Sequence, residues 1–289
     1  MKKTTCLMLV VIMITMLFPV AKASDTTTAL ANATVDVALD ILEQEYISSE
    51  STTASSSIAV SLINCYRDDP VFKAHFQADP ADAIAMVVQV IQSSMTKDSA
   101  VQPLWTDGTV YSADGVPTYK QSQSNSCGAA SALQVIIQQG GGNNVSGSTN
   151  TAKEKTLIGK TELNKNGSVL VIEVRDLINN HTNRNKYAYI PCLNLNETDF
   201  RRLVLNSLAK DCPIILHANT KYLGYYNSVS LGHYIVGTTF YPATDQFVVN
   251  DCNYDSAYTG IRITSMSEVW SSVHNPNANG SSRYLIYGT

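Results

Sequence analysis

Residues Gln121–Leu133 read QSQSNSCGAASAL, in which a cysteine precedes a run of small residues typical of a closely packed helix. The pattern predicts a helix from Cys127 to Gln139, closed by the glycines at 140–142, which tolerate the left-handed turn at a helix end. At a helix start, unpaired N–H groups and the positive end of the helix dipole stabilise a thiolate over a thiol. Cys127 is therefore a candidate nucleophile.

A glutamine stands six positions before this cysteine. The side-chain amide of Gln121 and the backbone N–H of Cys127 could converge on the oxygen of a tetrahedral intermediate, and such a donor pair is an oxyanion hole. Gln123 is a rival donor, although it lies only four positions before Cys127. A loop residue that faces water is the alternative interpretation of either glutamine.

Two apolar runs further along the chain predict an antiparallel hairpin. His233–Phe240 and Gln246–Asn250 read as strands, separated by the short turn YPATD at residues 241–245. The start of one strand then lies beside the end of the other, so His233 and Asp251 become neighbours. A carboxylate that accepts from one ring nitrogen fixes the tautomer and leaves the other nitrogen to take a thiol proton.

Other residues compete for these two roles. His217 lies on a predicted strand, Pro213–Ala218, but inside an apolar run without a carboxylate-bearing hairpin partner. Asn253 and Asp255 are alternative orienters of the imidazole. Taken separately, His233 could be an ordinary strand-end histidine and Asp251 a turn-initiating residue.

Upstream of these motifs the chain has a helical pattern. Helices are expected at Val35–Leu42, around Ile58–Tyr66 and at Ala81–Ile91, with a Ser/Thr-rich loop at Ser48–Ser57. After a boundary near residue 100, strand-like runs predominate, which is the element order of an α+β fold. The remaining predicted elements are strands at Thr109–Tyr111 and Val116–Tyr119, a polar surface loop at Asn143–Lys153, and helices at Val169–Asn179 and Glu197–Ala209.

The first residues have the order of a secretory signal. Lys2 and Lys3 precede an apolar run from Leu7 to Phe18, and Ala21-Lys22-Ala23 supplies small residues for cleavage after Ala23. The apolar run is shorter than the roughly 20 residues needed to span a bilayer. We expect a bacterial protein that is secreted and, once the signal is removed, has no membrane attachment.

The mature chain, residues 24–289, carries a formal charge of −7 from 17 basic and 24 acidic residues. This acidic balance argues against a nucleic-acid partner. Its five cysteines are an odd number, with no C-x-x-C motif that would indicate a metal. Disulfides among Cys65, Cys192, Cys212 and Cys252 and burial of some of them as small apolar residues both stay open. We expect no cofactor, and the oligomeric state stays open.

Together these motifs resemble the C39-like peptidases of the papain superfamily over roughly residues 105–289. The shared pattern is Gln-x₅-Cys-Gly at a helix start, Gly-His at a strand start, and an Asn-Asp at the end of the next strand. The resemblance assigns the oxyanion, nucleophile, base and orienting roles to Gln121, Cys127, His233 and Asp251. It extends to three strand-like segments, at Asp211–Ile215, Tyr258–Ile261 and Arg283–Tyr287.

The resemblance implies an α+β papain-like fold, in which the helix that carries the nucleophile packs on an antiparallel sheet. The expected domains are a signal peptide (1–23), a helical N-terminal module that is either a removable propeptide or an accessory domain (24–100), and the peptidase domain (101–289). The implied activity is hydrolysis of peptide bonds in a peptide or protein substrate through an acyl-enzyme. A non-catalytic binding module of the same fold and a transglutaminase-like acyltransferase are the alternatives. Cys252 departs from the family pattern, where proline often follows the aspartate, and is a candidate disulfide partner.

Overall fold

In the computed structural model the chain separates into two units, Met1–Asp98 and Ser99–Thr289. The structure describes residues 63, 64, 66, 67, 73, 74, 109–163, 168–193, 195–276 and 283–289. In the first unit the described residues are helical, and Ile63 and Tyr66 are buried. The predicted signal peptide, the helices Val35–Leu42 and Ala81–Ile91, and the loop Ser48–Ser57 lie outside the described residues.

The second unit is built on one antiparallel sheet of seven strands. Their order is β2-β7-β3-β4-β5-β6, and the short β1 pairs with the far end of β4. The strands are β1 Tyr111–Ser112, β2 Tyr187–Pro191, β3 Ile214–Asn219, β4 Gly232–Tyr241, β5 Gln246–Asp251, β6 Gly260–Ser265 and β7 Tyr284–Gly288.

Helices cover this sheet. They are α1 Cys127–Gln138, α2 Asn150–Ile158, α3 Val171–His181, α4 Glu197–Leu208 and α5 Met266–His274. Helix α1 packs against β4 and α3, α4 against β7, and α5 against β3. The mixture of helices with an antiparallel sheet confirms the predicted α+β, papain-like fold class.

The small residues of α1 explain how closely it approaches its neighbours. Ala129, Ala130 and Ala132 are fully buried. A Cβ added to Gly128 would lie 2.9 Å from Val169 Cβ and 3.3 Å from Cδ2 of Tyr234, closer than real Cβ atoms normally come. The sequence GAASA therefore seats the start of α1, and with it Cys127, directly against strand β4.

The register of the β4–β5 hairpin determines where Asp251 lies relative to His233. Val236 of β4 pairs with Asn250 of β5, so the next step along the ladder brings Asp251 beside Ile235. Side chains two residues apart in a strand share a face, so His233 lies on the same face as Ile235. The predicted turn is present as a single 3₁₀ turn at Pro242–Thr244.

Two sequence predictions fail in this unit. Val116–Tyr119 is not a strand: Pro117 has no N–H to donate to a ladder, and the Val116 carbonyl accepts a side-chain hydrogen bond from Asn250 instead. The segment Asn143–Lys153 is not wholly a loop, because α2 begins at Asn150, where Thr149 caps it by accepting from the N–H of Ala152.

Candidate active site

Cys127 is the first residue of α1 and is half-buried. Burial alone would raise the pKa of its thiol, but the charge of His233, a hydrogen bond to that ring, and the backbone N–H groups of Tyr234 and Gly128 outweigh burial and lower the pKa. The start of α1 and strand β4 therefore both direct backbone N–H groups at the sulfur of Cys127. The site favours a thiolate.

His233, the second residue of β4, is buried and lies between Cys127 and Asp251. Its Nε2 is 2.8 Å from Oδ1 of Asp251, which leaves Nδ1 for the thiol. Burial by itself would lower the imidazole pKa, yet the charge of Cys127 and the hydrogen bonds to Asp251 and Cys127 raise it to about 10. The two shifts together describe a thiolate–imidazolium pair.

The carboxylate of Asp251 is fully buried, and each of its oxygens accepts two hydrogen bonds. Oδ1 accepts from His233 and from the Asn253 N–H at 2.8 Å, and Oδ2 accepts from the hydroxyls of Tyr225 at 2.9 Å and Tyr226 at 2.8 Å. Burial first, and then the charge of Asp251, raises the pKa of both phenols, so they remain donors. Four donors hold the carboxylate in the orientation that the imidazole needs.

Sequence reasoning missed the two tyrosines. They belong to a 3₁₀ turn, Gly224–Tyr226, in the connection between β3 and β4, and no spacing rule relates that turn to Asp251. Asn253, considered as an alternative orienter, supports Asp251 instead: its backbone donates to Oδ1 and its side chain donates to the Tyr226 hydroxyl at 2.9 Å. Asp255 is exposed.

Gln121 is buried at the same site, with its backbone N–H bound to the carbonyl of Cys252 at 2.7 Å. Its Nε2 donates to the Gln123 carbonyl at 2.6 Å, which uses one of the two amide hydrogens and fixes the orientation of the side chain. The side chain of the rival Gln123 is exposed. Of the two glutamines, Gln121 is the one buried beside Cys127.

The side chain of Cys252 contacts Gln121, Cys127 and Tyr234. Its buried sulfur lies 3.7 Å from Gln121 Oε1, from the Cys127 carbonyl, from the Tyr234 carbonyl and from the hydroxyl of Ser131. Burial, followed by the charges of Cys127 and Asp251, raises its pKa well above the ordinary value. Cys252 is a packed thiol rather than a disulfide partner, and Cys192 and Cys212 are likewise buried as thiols.

Glu154 supports the loop that carries Gln121 and Cys127, and it too was missed. It projects from α2, is fully buried, and accepts from the Ser126 hydroxyl at 2.6 Å and from the Ser122 N–H at 3.0 Å. Burial raises its pKa, partly offset by these hydrogen bonds. Because the sequence predicted a surface loop over the start of α2, nothing pointed to a buried carboxylate there.

His217, the competing base, has a different setting. Its ring stacks on Tyr234 at 4.7 Å and on Tyr284 at 6.2 Å, and its Nδ1 is buried without a hydrogen-bond partner. Burial, with the charges of Arg283 and His233, lowers its pKa to about 3. No described carboxylate contacts His217, whereas the carboxylate of Asp251 contacts His233.

Within the described ranges, no group of three or more His, Cys, Asp or Glu side chains is arranged to hold a metal ion. The helices that the structure describes include none with the length and apolar character of a membrane span.

Comparison with known protein families gives one match. The model of the Peptidase_C39 like family matches residues 113–277, a segment that contains Gln121, Cys127, His233 and Asp251 and more than half of the chain. Comparison with curated proteins gives no match. The family match confirms the resemblance drawn from the sequence motifs and supports a cysteine peptidase-like function. The chain is a member of the Peptidase_C39 like family.

Proposed function

We propose that this chain is a cysteine peptidase that hydrolyses peptide bonds with Cys127 as nucleophile, His233 as base and Asp251 as orienter. The observation that carries the proposal is the continuous contact from the Cys127 thiol through the His233 ring to the Asp251 carboxylate, at the start of a buried helix. A thiol with a lowered pKa beside an imidazole with a raised pKa supports a catalytic role, because such shifts cluster at functional sites.

In this proposal each group has one role in the reaction. The Cys127 thiolate attacks the carbonyl carbon, and the oxyanion is held by the Cys127 N–H and by the second amide hydrogen of Gln121. His233 gives the Nδ1 proton to the leaving amine, which leaves an acyl-enzyme. His233 then takes a proton from a water molecule that attacks the acyl-enzyme, which releases the acid and restores the thiolate–imidazolium pair. Throughout, Asp251 accepts from Nε2 and so keeps the ring in one orientation.

Peptide-mapped alkylation with limiting iodoacetamide at about pH 6 tests the pair, since a thiolate held by imidazolium reacts below the ordinary cysteine pKa. We expect Cys127 to be labelled about 10²-fold faster in the wild type than in His233→Ala. In that variant the two main causes that lower the Cys127 pKa are gone and burial remains.

Cys212 and Cys252 are internal controls in the same digest, because both are buried and burial is the main cause that raises their pKa values. They should stay unlabelled in both proteins until denaturant is added. If Cys127 is labelled no faster than an ordinary thiol, or equally fast in His233→Ala, the peptidase proposal is wrong. The non-catalytic binding module then becomes the better interpretation.

We further propose that the protein is secreted and that its substrate is an extracellular peptide or protein. The support is the order of charged, apolar and small residues over positions 1–23. When the full chain is expressed in a bacterial host, the protein outside the cytoplasm should begin at Ser24 by intact mass. Retention of residues 1–23, or recovery only from the cytoplasm, would contradict secretion.

A further inference from the structure

Gly232, the residue directly before His233, is exposed, and two nitrogen-bearing side chains border the space over it. Among the described residues, a Cβ placed on Gly232 would have two neighbours within 4 Å, Arg283 Nη1 and His217 Nε2, each at 3.8 Å. Two nitrogen atoms, one from β3 and one from the residue directly before β7, therefore border the exposed side of Gly232. The reason for glycine at this position is not its backbone conformation, because its φ is not among the positive values.

Arg283 borders this space as a buried cation. Only 4% of the residue is exposed, its Nη1 donates to the Ala218 carbonyl at 2.9 Å, and its Nε is buried with no hydrogen-bond partner. Among the described residues no ion pair includes Arg283. Burial lowers its pKa to about 10, so the guanidinium is still charged at neutral pH. A buried charge left without a counter-charge is costly for a fold unless a ligand supplies one.

His217 supplies the second nitrogen. The stacking of its ring on Tyr234 and Tyr284 fixes its position, and its Nδ1 is buried without a partner. With its pKa lowered to about 3, the ring is neutral and can donate one hydrogen bond. The space thus combines one nitrogen of a positive guanidinium, Nη1 of Arg283, with one neutral ring nitrogen.

The space adjoins the reacting groups. Gly232 is bonded to His233, and the N–H of Tyr234 points at the Cys127 sulfur. The Tyr234 ring lies beside Gly128, next to Cys127, on one side and stacks on His217 on the other. A peptide whose carbonyl carbon meets Cys127 would therefore place a neighbouring residue over Gly232.

We propose that Arg283 and His217 form a substrate subsite over Gly232 that binds a peptide carboxylate close to the bond that is cut. This inference rests on the proposed peptidase function, because it names the class of peptide that the site takes. A hydrogen bond from a charged guanidinium nitrogen to a carboxylate is charge-assisted and stronger than one to a neutral amide. The carboxylate belongs either to an Asp or Glu side chain or to the C-terminus of the peptide.

The test is binding, so that it does not depend on turnover. A Cys127→Ala protein is immobilised and exposed to two random heptapeptide libraries, and retained peptides are identified by mass spectrometry. One library contains Asp and Glu but ends in an amide; the other lacks Asp and Glu but has a free C-terminal carboxylate. Together they distinguish the two sources of the carboxylate.

We expect a carboxylate to be enriched about 10- to 100-fold over its amide counterpart, at one peptide position or at the C-terminus, as for hydrogen bonds to charged groups. Arg283→Gln in the Cys127→Ala background should remove this enrichment. Gly232→Val should also remove it while Arg283 stays in place, since the new side chain occupies the space and its Cβ meets neighbours only at 3.8 Å. Gly232→Val therefore keeps the test valid if Arg283→Gln does not fold.

Equal retention of carboxylate and amide peptides, including no retention of either, overturns the subsite. So does an enrichment that persists in both variants. The alkylation test of Cys127 is separate: rapid alkylation without carboxylate enrichment rejects only the subsite, and carboxylate enrichment without an activated Cys127 rejects only the peptidase.

Discussion

A Cys127→Ala variant is expected to hydrolyse peptides about 10⁶-fold more slowly than the wild type, the loss seen when a nucleophile is removed from a preorganised site. The same change should lower the pKa of His233 from about 10. The charge of Cys127 and its hydrogen bond are two of the causes that raise that pKa, and burial, the largest contribution, acts in the opposite direction. Activity and imidazole titration are thus predicted to change together.

The measurements are kcat/KM with a fluorogenic peptide mixture and a pH titration of the His233 ring by NMR. Cys212→Ala is the matched control, because it removes another buried thiol that lies two residues before β3, away from the hairpin end that carries Asp251. It should lower thermal stability slightly and leave both readouts unchanged. Hydrolysis by Cys127→Ala within tenfold of the wild type, or an unchanged His233 titration, would rule out the thiolate–imidazolium pair.

The position of Cys127 at a helix start and the proximity of His233 to Asp251 could both be predicted, because each depends on local chain geometry. A cysteine before small residues indicates a helix start, and two apolar runs around a five-residue turn indicate a hairpin, which brings His233 and Asp251 together. Helix α1 and the strands β4 and β5 lie within a residue or two of their predicted positions. The roles of the four residues in catalysis remain predictions that the experiments above address.

The supports of the site could not be predicted because they come from distant parts of the chain. Tyr225 and Tyr226 reach Asp251 from 26 and 25 residues away, and no periodic pattern records such a contact. Some missed elements did carry a local signal. Ser265 and Glu268 form a capping box at the start of α5, a Ser-x-x-Glu pattern that the sequence contains and that predicts a helix.

Glu154 is the missed residue with the largest expected effect. Its carboxylate holds the Ser122 N–H and the Ser126 hydroxyl, so it fixes the segment between Gln121 and Cys127 at both ends. Glu154→Ala should lower the free energy of unfolding by about 3 kcal/mol, because two buried donors lose their acceptor. Among the molecules that remain folded, kcat should fall about 10²–10³-fold, the effect of losing an oxyanion donor.

Two further variants separate positioning from stability. Asp199→Ala removes a buried carboxylate from α4, where it pairs with Arg202 at 2.8 Å, and should reduce stability without changing kcat. Glu154→Gln keeps one oxygen as acceptor and should restore most of the kcat lost in Glu154→Ala. If Glu154→Ala keeps full kcat, Glu154 has no positioning role.

The pH dependence of stability gives an independent check on Glu154. Its folded pKa is raised above the ordinary value of 4.5, so the folded state holds the proton more tightly than the unfolded state. The stability that Glu154 contributes relative to a glutamine is therefore fully present below about pH 4.5. It is lost as the pH rises through the folded pKa of Glu154. Urea unfolding of the wild type and of Glu154→Gln, at acid and at neutral pH, measures this contribution. As the pH increases, the free energy of unfolding of the wild type should fall relative to that of Glu154→Gln. If this difference in free energy of unfolding does not depend on pH, or if it moves in favour of the wild type, the hydrogen bonds to Glu154 offset its burial. Glu154 would then not be a buried group that resists ionisation.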